Sequence, residues 1–395
     1  MYEHITQSAL SELLKQQGHH TFLSLYMPME RTFPGREQNP IRYRNLLRQL
    51  REQLDLASGA AAPHDLLEPF EALLGDDRLW NSPRSGLAIV GSDNLFQVFS
   101  LHQPVAEQVR VDRQPYLKPL LRISQSAGAF QVLCVTRDAV RLCEGDQDVL
   151  HEVELHPAVP RSLEQALGSE LTEKNQSGHP DGFSRAAEKT GGMTMHESGG
   201  GGKQDEIDID RERYFRAIDK AIAEHHSRRS GLPLILAALP RNQAAFRAIS
   251  HNAQLLDEGV AMDPSLIDAA ALRQHCGEIM SKRYNAWLDK VLERYGTAQG
   301  KQLACENVAQ IGEAVYAGRV SVLLVESGRN LPGVVNQQSG AVDLYETDGD
   351  DKAAGTGADV LDQLIPKAVQ NGAEVVVVPS GLLPGESGAA AVFRF

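Results

Sequence analysis

Three short apolar runs, LPLILAAL at 232–239, SVLLV at 321–325 and VVVV at 375–378, constrain the fold of this chain more than any other feature. Continuous apolar runs of four to eight residues suit strands buried on both faces. They alternate with stretches of helical apolar spacing at 205–226, 243–249, 306–317 and 359–371. Strands and helices in that order predict an α/β chain whose sheets carry helices on their faces. At 395 residues the chain is long enough for more than one such unit. The expectation is a multidomain α/β (α+β) protein divided at 1–125, 126–252 and 253–395.

In the first part, residues 7–16 read as a short helix. Residues 21–26 (TFLSLY) read as a strand that stops at Met27 and Pro28. From Asn39 and Pro40, the apolar residues Ile41, Leu46, Leu47, Leu50 and Leu54 recur at helical spacing. The opposite face of that helix is basic. Residues 31–51 hold six arginines, Arg31, Arg36, Arg42, Arg44, Arg48 and Arg51, against one acid, Glu37. Farther on, 86–90 and 95–101 read as a strand pair around Gly91-Ser92-Asp93-Asn94.

In the second part, FQVLCVTRDAVRLCEGD reads as a hairpin turning at Arg137 and Asp138, continued by 149–155. Residues 168–204 then lack apolar periodicity and end in Met195-His196-Glu197-Ser198 followed by four glycines, Lys203 and Gln204. A loop of that length and composition is expected to be either functional or disordered. In the third part, Asp263 and Pro264 predict the cap and first turn of a helix reaching Arg294, before Gly296. Residues 343–359, acidic and Gly-rich, read as an exposed loop, and 389–395 as a final strand.

Several chemistries fail on spacing. The glycine tract is no phosphate loop, because Gln204 follows Lys203 where Ser or Thr is needed and no strand leads into it. His19-His20 and His225-His226 are adjacent pairs that diverge on a regular element and read as solvated. Cys276, beside His275 in a predicted helix, reads as a core thiol. The four cysteines lie far apart with no C-x-x-C pair, as reduced cytoplasmic thiols do. No catalytic residue, metal or cofactor is assigned, and no apolar run is long enough to span a membrane. The net charge of −13 excludes a uniformly basic nucleic-acid coat. It divides as −1, −4 and −8 over the three parts, so the excess acid sits in the third.

The order of motifs carries a resemblance. LSLYMP, the arginine-bearing helix, SGLAIVGSDNLFQVF and RQPYLKPLLRI resemble the N-terminal domain of the archaeal and eukaryotic class I peptide-chain release factors and of Pelota. FQVLCVTRDAVRLCEGD, the glycine-tipped loop and LPLILAALPRNQAAFRAI resemble their central domain. AVYAGRVSVLLVES, IPKAVQNGAEVVVVPSG and GESGAAAVFRF resemble their L7Ae-like C-terminal domain. MTMHESGGGGKQDEID ahead of ERYFRAI is similar to the bacterial branch of that superfamily.

The resemblance implies a cytoplasmic translation factor that enters the ribosomal A site. Arg36, Arg42, Arg44 and Arg48 would then contact RNA near the decoding centre. His196, Gly199, Gly200, Gly201, Gly202, Lys203 and Gln204 would lie near the peptidyl-transferase centre. The acidic third part implies a protein partner, a translational GTPase of the elongation-factor Tu type. Release chemistry in this superfamily uses a Gly-Gly-Gln loop, whose glutamine N–H stabilises developing charge. Here Lys203 separates Gly202 from Gln204 and displaces that N–H by up to ~3.5 Å along the chain. The expectation is therefore a non-catalytic factor that occupies idle or stalled ribosomes for hibernation, protection or rescue. The alternatives are a codon-independent peptidyl-tRNA hydrolase with Gln204 re-registered, and an RNA- or protein-binding adaptor that never enters the A site.

Overall fold

The computed structural model describes residues 10, 12–14, 20–58, 63–81, 84–126, 128–137, 139–168, 201–345, 359–385 and 387–395, with the backbone alone for 201–206. Its first sheet has the order β3-β2-β1-β4, all antiparallel, from β1 (Phe22–Pro28), β2 (Gly86–Gly91), β3 (Phe96–Leu101) and β4 (Gln108–Asp112). Strand β1 runs through Met27 to Pro28, two residues beyond the expected end, because Met27 and Pro28 still pair with Leu87 and Gly86. Alternation along β1 fixes two faces. Leu23, Leu25 and Met27 face the helix Asn39–Ser58, whose buried apolar residues are Tyr43, Leu46, Leu47, Leu50 and Leu54. Ile41, expected in that apolar row, is exposed, and Tyr43 holds the position by donating its hydroxyl to the Phe70 carbonyl at 2.8 Å.

The second sheet has the order β7-β6-β5-β8, from β5 (Phe130–Val135), β6 (Val140–Gly145), β7 (Leu150–Val153) and β8 (Leu234–Ala237). The expected hairpin is β5 and β6, in register from Phe130↔Gly145 to Val135↔Val140, and β8 joins β5 in parallel. The helix Gly201–Ile222 lays Tyr214, Phe215, Ile218 and Ile222 on this sheet, as the sequence spacing predicts.

That helix does not simply stop near His226. It passes into a π-helical turn at Ala223–Ser227, then a short helical stretch at Arg228–Ser230 that ends on Gly231. Gly231 has φ of +65°, the left-handed value that closes helices and that glycine adopts without steric cost.

The third sheet, ordered β13-β10-β14-β9, comprises β9 (Ala304–Cys305), β10 (Val320–Glu326), β13 (Glu374–Val378) and β14 (Ala389–Phe393). Between β10 and β13, strands β11 (Gly333–Val335) and β12 (Val342–Leu344) pair separately. Strand β12 overlaps the start of the stretch expected to be a loop; residues 346–358 of that stretch lie outside the described residues.

Both faces of the third sheet are covered. Val322, Leu324, Val376 and Val378 pack under Leu288, Val291 and Tyr295 of the helix Ala269–Gly300. Leu323, Val325, Val375 and Val377 pack under the helices Val308–Tyr316 and Val360–Gln370. This is the α/β layering expected from SVLLV and VVVV.

The helix Ala269–Gly300 starts later and ends later than predicted. Asp263 caps a turn, accepting from the backbone N–H and the hydroxyl of Ser265 at 2.9 and 2.7 Å. Asp268 caps the helix instead, accepting from the Ala271 N–H at 2.7 Å. Gly296 does not end it, because Tyr295 and Ala298 on either side are buried and hold the backbone helical.

By contacts the chain forms two compact units, residues 1–128 with 277–395, and residues 129–276. Within the first unit, the second face of the β1–β4 sheet, with Phe22, Tyr26, Ala88, Phe99 and Leu101, shares one core with Ile311, Leu361, Leu364 and Ile365. The helix Lys118–Gln125 completes that junction. Gln125 donates from Nε2 to the Val375 carbonyl at 2.7 Å and accepts from the Val377 N–H at 2.8 Å, which caps the open edge of β13.

Candidate nucleic-acid interface

The basic helix face forms because the apolar residues of Asn39–Ser58 turn inward and leave the arginines outside. The structure sorts those arginines. Arg42 lies 2.8 Å from Glu107 and donates to the Pro28 carbonyl at 3.1 Å, so its charge is answered locally. Arg51 is paired with Glu71. Arg44 and Arg48 are exposed one helical turn apart, and they and Arg36 make no ion pair among the described residues. An exposed guanidinium without a carboxylate is free to bind phosphate, for which its planar fork is suited. Arg44 and Arg48, with the half-buried Arg36 ahead of the helix, therefore form the available cationic set; Arg42 is a braced member at its edge.

Asn39 anchors the start of this helix. Its side chain is fully buried; Oδ1 accepts from the Glu30 N–H and Nδ2 donates to the Glu30 carbonyl, both at 2.9 Å. The Asn39-Pro40 pair signals a helix start, but nothing in the local sequence announces this bridge back to Glu30.

Of the glycine-loop residues, His196, Gly199 and Gly200 lie outside the described residues. Gly201, Gly202, Lys203 and Gln204 form the first turn of the helix Gly201–Ile222, four residues ahead of the expected start at Asp205.

The histidines expected to be solvated are engaged instead. His225 stacks on His156 with ring centroids 3.8 Å apart and 9° between planes. His226 Nε2 accepts from the His156 N–H at 3.2 Å, and His156 Nδ1 accepts from the Ala158 N–H at 3.2 Å. The π-turn makes this possible, since it rotates two adjacent residues away from regular helical directions. Burial, then His156, His225 and Arg229, hold the His226 imidazole below its usual pKa, against an opposing pull from Glu144.

Cys276 is a core thiol, pushed up to about 12 chiefly by burial, which removes it as a nucleophile near neutral pH. Among the described residues no group of three or more His, Cys, Asp or Glu is placed to hold a metal ion. No described helix is long and apolar enough to cross a membrane.

The layered sheets define a multidomain α/β protein whose helix Asn39–Ser58 carries a basic outer face. Its particular relationship comes from residues 129–319, which match the family described as bacterial archaeo-eukaryotic release factor family 3, so the chain is release-factor-like over that segment. None of the curated proteins matches the chain.

Solved structures align with it at low similarity. An archaeal translation termination factor, aRF1, has 17% identity over 98% of this chain and 96% of its own, with a TM-score of 0.24. Saccharomyces cerevisiae Dom34, described as interacting with Hbs1, has 10% identity over 77% and 74%, with a TM-score of 0.36. A model of ribosome-bound archaeal Pelota and ABCE1 has 12% identity over 100% and 95%, with a TM-score of 0.38.

Proposed function

We propose that this protein is a ribosome-binding translation factor shaped like a release factor. It occupies the A site of idle or stalled ribosomes, in hibernation, protection or rescue, without hydrolysing peptidyl-tRNA. The observation that carries this reading is the family match over residues 129–319. The exposed Arg44 and Arg48, with the half-buried Arg36, support RNA contact, and the lysine between Gly202 and Gln204 supports loss of release chemistry. Residues 1–125, 126–252 and 253–395 serve in this reading as decoding-type, release-factor-type and L7Ae-like parts. The last, with a net charge of −8, would meet a translational GTPase of the elongation-factor Tu type.

Two measurements test it. The full chain should pellet with 70S ribosomes through a sucrose cushion; failure to pellet at low salt favours the adaptor reading. Ribosomes loaded with labelled peptidyl-tRNA should retain the peptide when the protein is added. Release that Gln204→Ala abolishes would establish the hydrolase instead.

A further inference from the structure

The loop ahead of the arginine helix holds an aromatic ring in water. Phe33 is 72% exposed, whereas Phe22, Phe70, Phe99, Phe130, Phe215 and Phe246 are at most 1% exposed. The loop that carries it is braced at both ends. Asn39 binds both backbone groups of Glu30, and the Met29 N–H donates to the Ser85 carbonyl at 2.8 Å. Arg31 Nη2 donates to the His102 carbonyl at 2.9 Å. Across the tip, the Arg36 N–H donates to Thr32 at 2.8 Å and the Glu37 N–H to Pro34 at 3.1 Å. The ring therefore sits on a fixed support, so a ligand that stacks on it need not first order the loop.

The chain that follows it is rich in cations. Arg36 lies in the turn that follows Phe33, and Arg44 and Arg48 continue along the helix without carboxylate partners among the described residues. Glu30 and Glu37 are the acids of this stretch, against six arginines between residues 30 and 51. An exposed ring followed along the chain by guanidinium groups without carboxylate partners matches the alternating chemistry of single-stranded RNA, in which unpaired bases expose π-faces and phosphates carry charge. A duplex offers no free base face, and an apolar peptide gains nothing from the arginines. We infer that Phe33 is a stacking platform for an unpaired nucleobase of single-stranded RNA, with Arg36, Arg44 and Arg48 holding the flanking phosphates. This inference rests on the RNA-contacting part of the proposed function.

The test uses the full chain and a single-stranded RNA oligonucleotide carrying 2-aminopurine, whose fluorescence falls when the base stacks. Wild type should quench the probe. Phe33→Ala should abolish the quenching and weaken binding roughly tenfold, with the salt slope and binding to duplex RNA unchanged. Phe33→Trp should restore both the quenching and the affinity. Arg44→Glu with Arg48→Glu should reduce both the affinity and the salt slope. Phe33→Ala binding like wild type, while the arginine variant is weakened, overturns the platform and leaves the RNA reading standing. So does wild type that pellets with ribosomes but ignores the oligonucleotide. Wild type that binds neither overturns both.

Discussion

Lys118 Nζ lies 2.6 Å from Asp359 Oδ2, with the two side chains 5% and 0% exposed. The residues are 241 positions apart in sequence, and their contact ties the helix Lys118–Gln125 to the first turn of Val360–Gln370. Lys118 also donates to the Arg329 carbonyl at 2.7 Å. Asp359 Oδ1 accepts from the N–H groups of Leu331 and Leu361 at 2.9 and 3.1 Å. Asp362 stands nearby, 3.6 Å from Lys118 and 3.2 Å from Arg110.

Lys118→Met should destabilise the first unit strongly. A buried ion loses its partner, a change that typically costs about 3–5 kcal/mol. Urea unfolding of the full chain should show a lower midpoint than wild type. A midpoint within the error of wild type would mean that the pair contributes nothing.

Asp362 gives a pH signature. Burial, with Asp359 adding to it and Lys118 and Arg110 opposing it, raises its carboxyl to about 8. A group raised in the folded state contributes stability below its unfolded pKa, near 4, and loses it as pH rises towards 8. Wild-type stability should therefore fall between pH 4 and pH 8 by about 1 kcal/mol per unit from this group, and that slope should be absent in Asp362→Asn. Parallel pH profiles for the two proteins contradict the assignment.

Gln125→Leu should cost about 1–3 kcal/mol, because it leaves the Val377 N–H and the Val375 carbonyl without partners at an otherwise covered edge. Gln125→Glu keeps an acceptor for Val377 and loses the donor to Val375, so its unfolding midpoint should fall between those of wild type and the leucine variant. Equal midpoints for all three would show that water replaces the amide.

The imidazole cluster should respond to acid in the opposite sense to Asp362. His226 is held below its ordinary pKa, so the neutral form is the folded one, and its contribution is present above about pH 6.5 and lost as pH falls. Protonation removes the lone pair that accepts from His156, so protection of the His156 amide against hydrogen exchange should drop between pH 7 and pH 5. Protection that stays level over this range, after correction for intrinsic exchange rates, contradicts the clamp.

The sequence was informative wherever periodicity met a buried face. The β-branched and aromatic run TFLSLY, the hairpin pattern around Arg137 and the runs SVLLV and VVVV all describe strands whose neighbours are the nearest way to bury apolar side chains. The arginine face was readable too, since Leu46, Leu47, Leu50 and Leu54 define the inner side of their helix. What escaped depended on partners remote in the chain. Glu107 neutralises Arg42 from 65 residues away, and His156 engages His226 from 70. Asp263 and Asp268 are both plausible caps locally, and only the packing of the following helix selects the second.

By itself, then, the sequence determined which residues of each strand and helix must turn inward, and with that the exposure of Arg44 and Arg48. Local stereochemistry and water decide those choices within a few residues. Only the tertiary structure decided that residues 1–128 and 277–395 share one core, and that Lys118 finds Asp359 there. It also decided that Gln125 closes the edge of β13. Those contacts join segments more than two hundred residues apart, and buried ions and amides are satisfied by whatever the completed fold brings beside them.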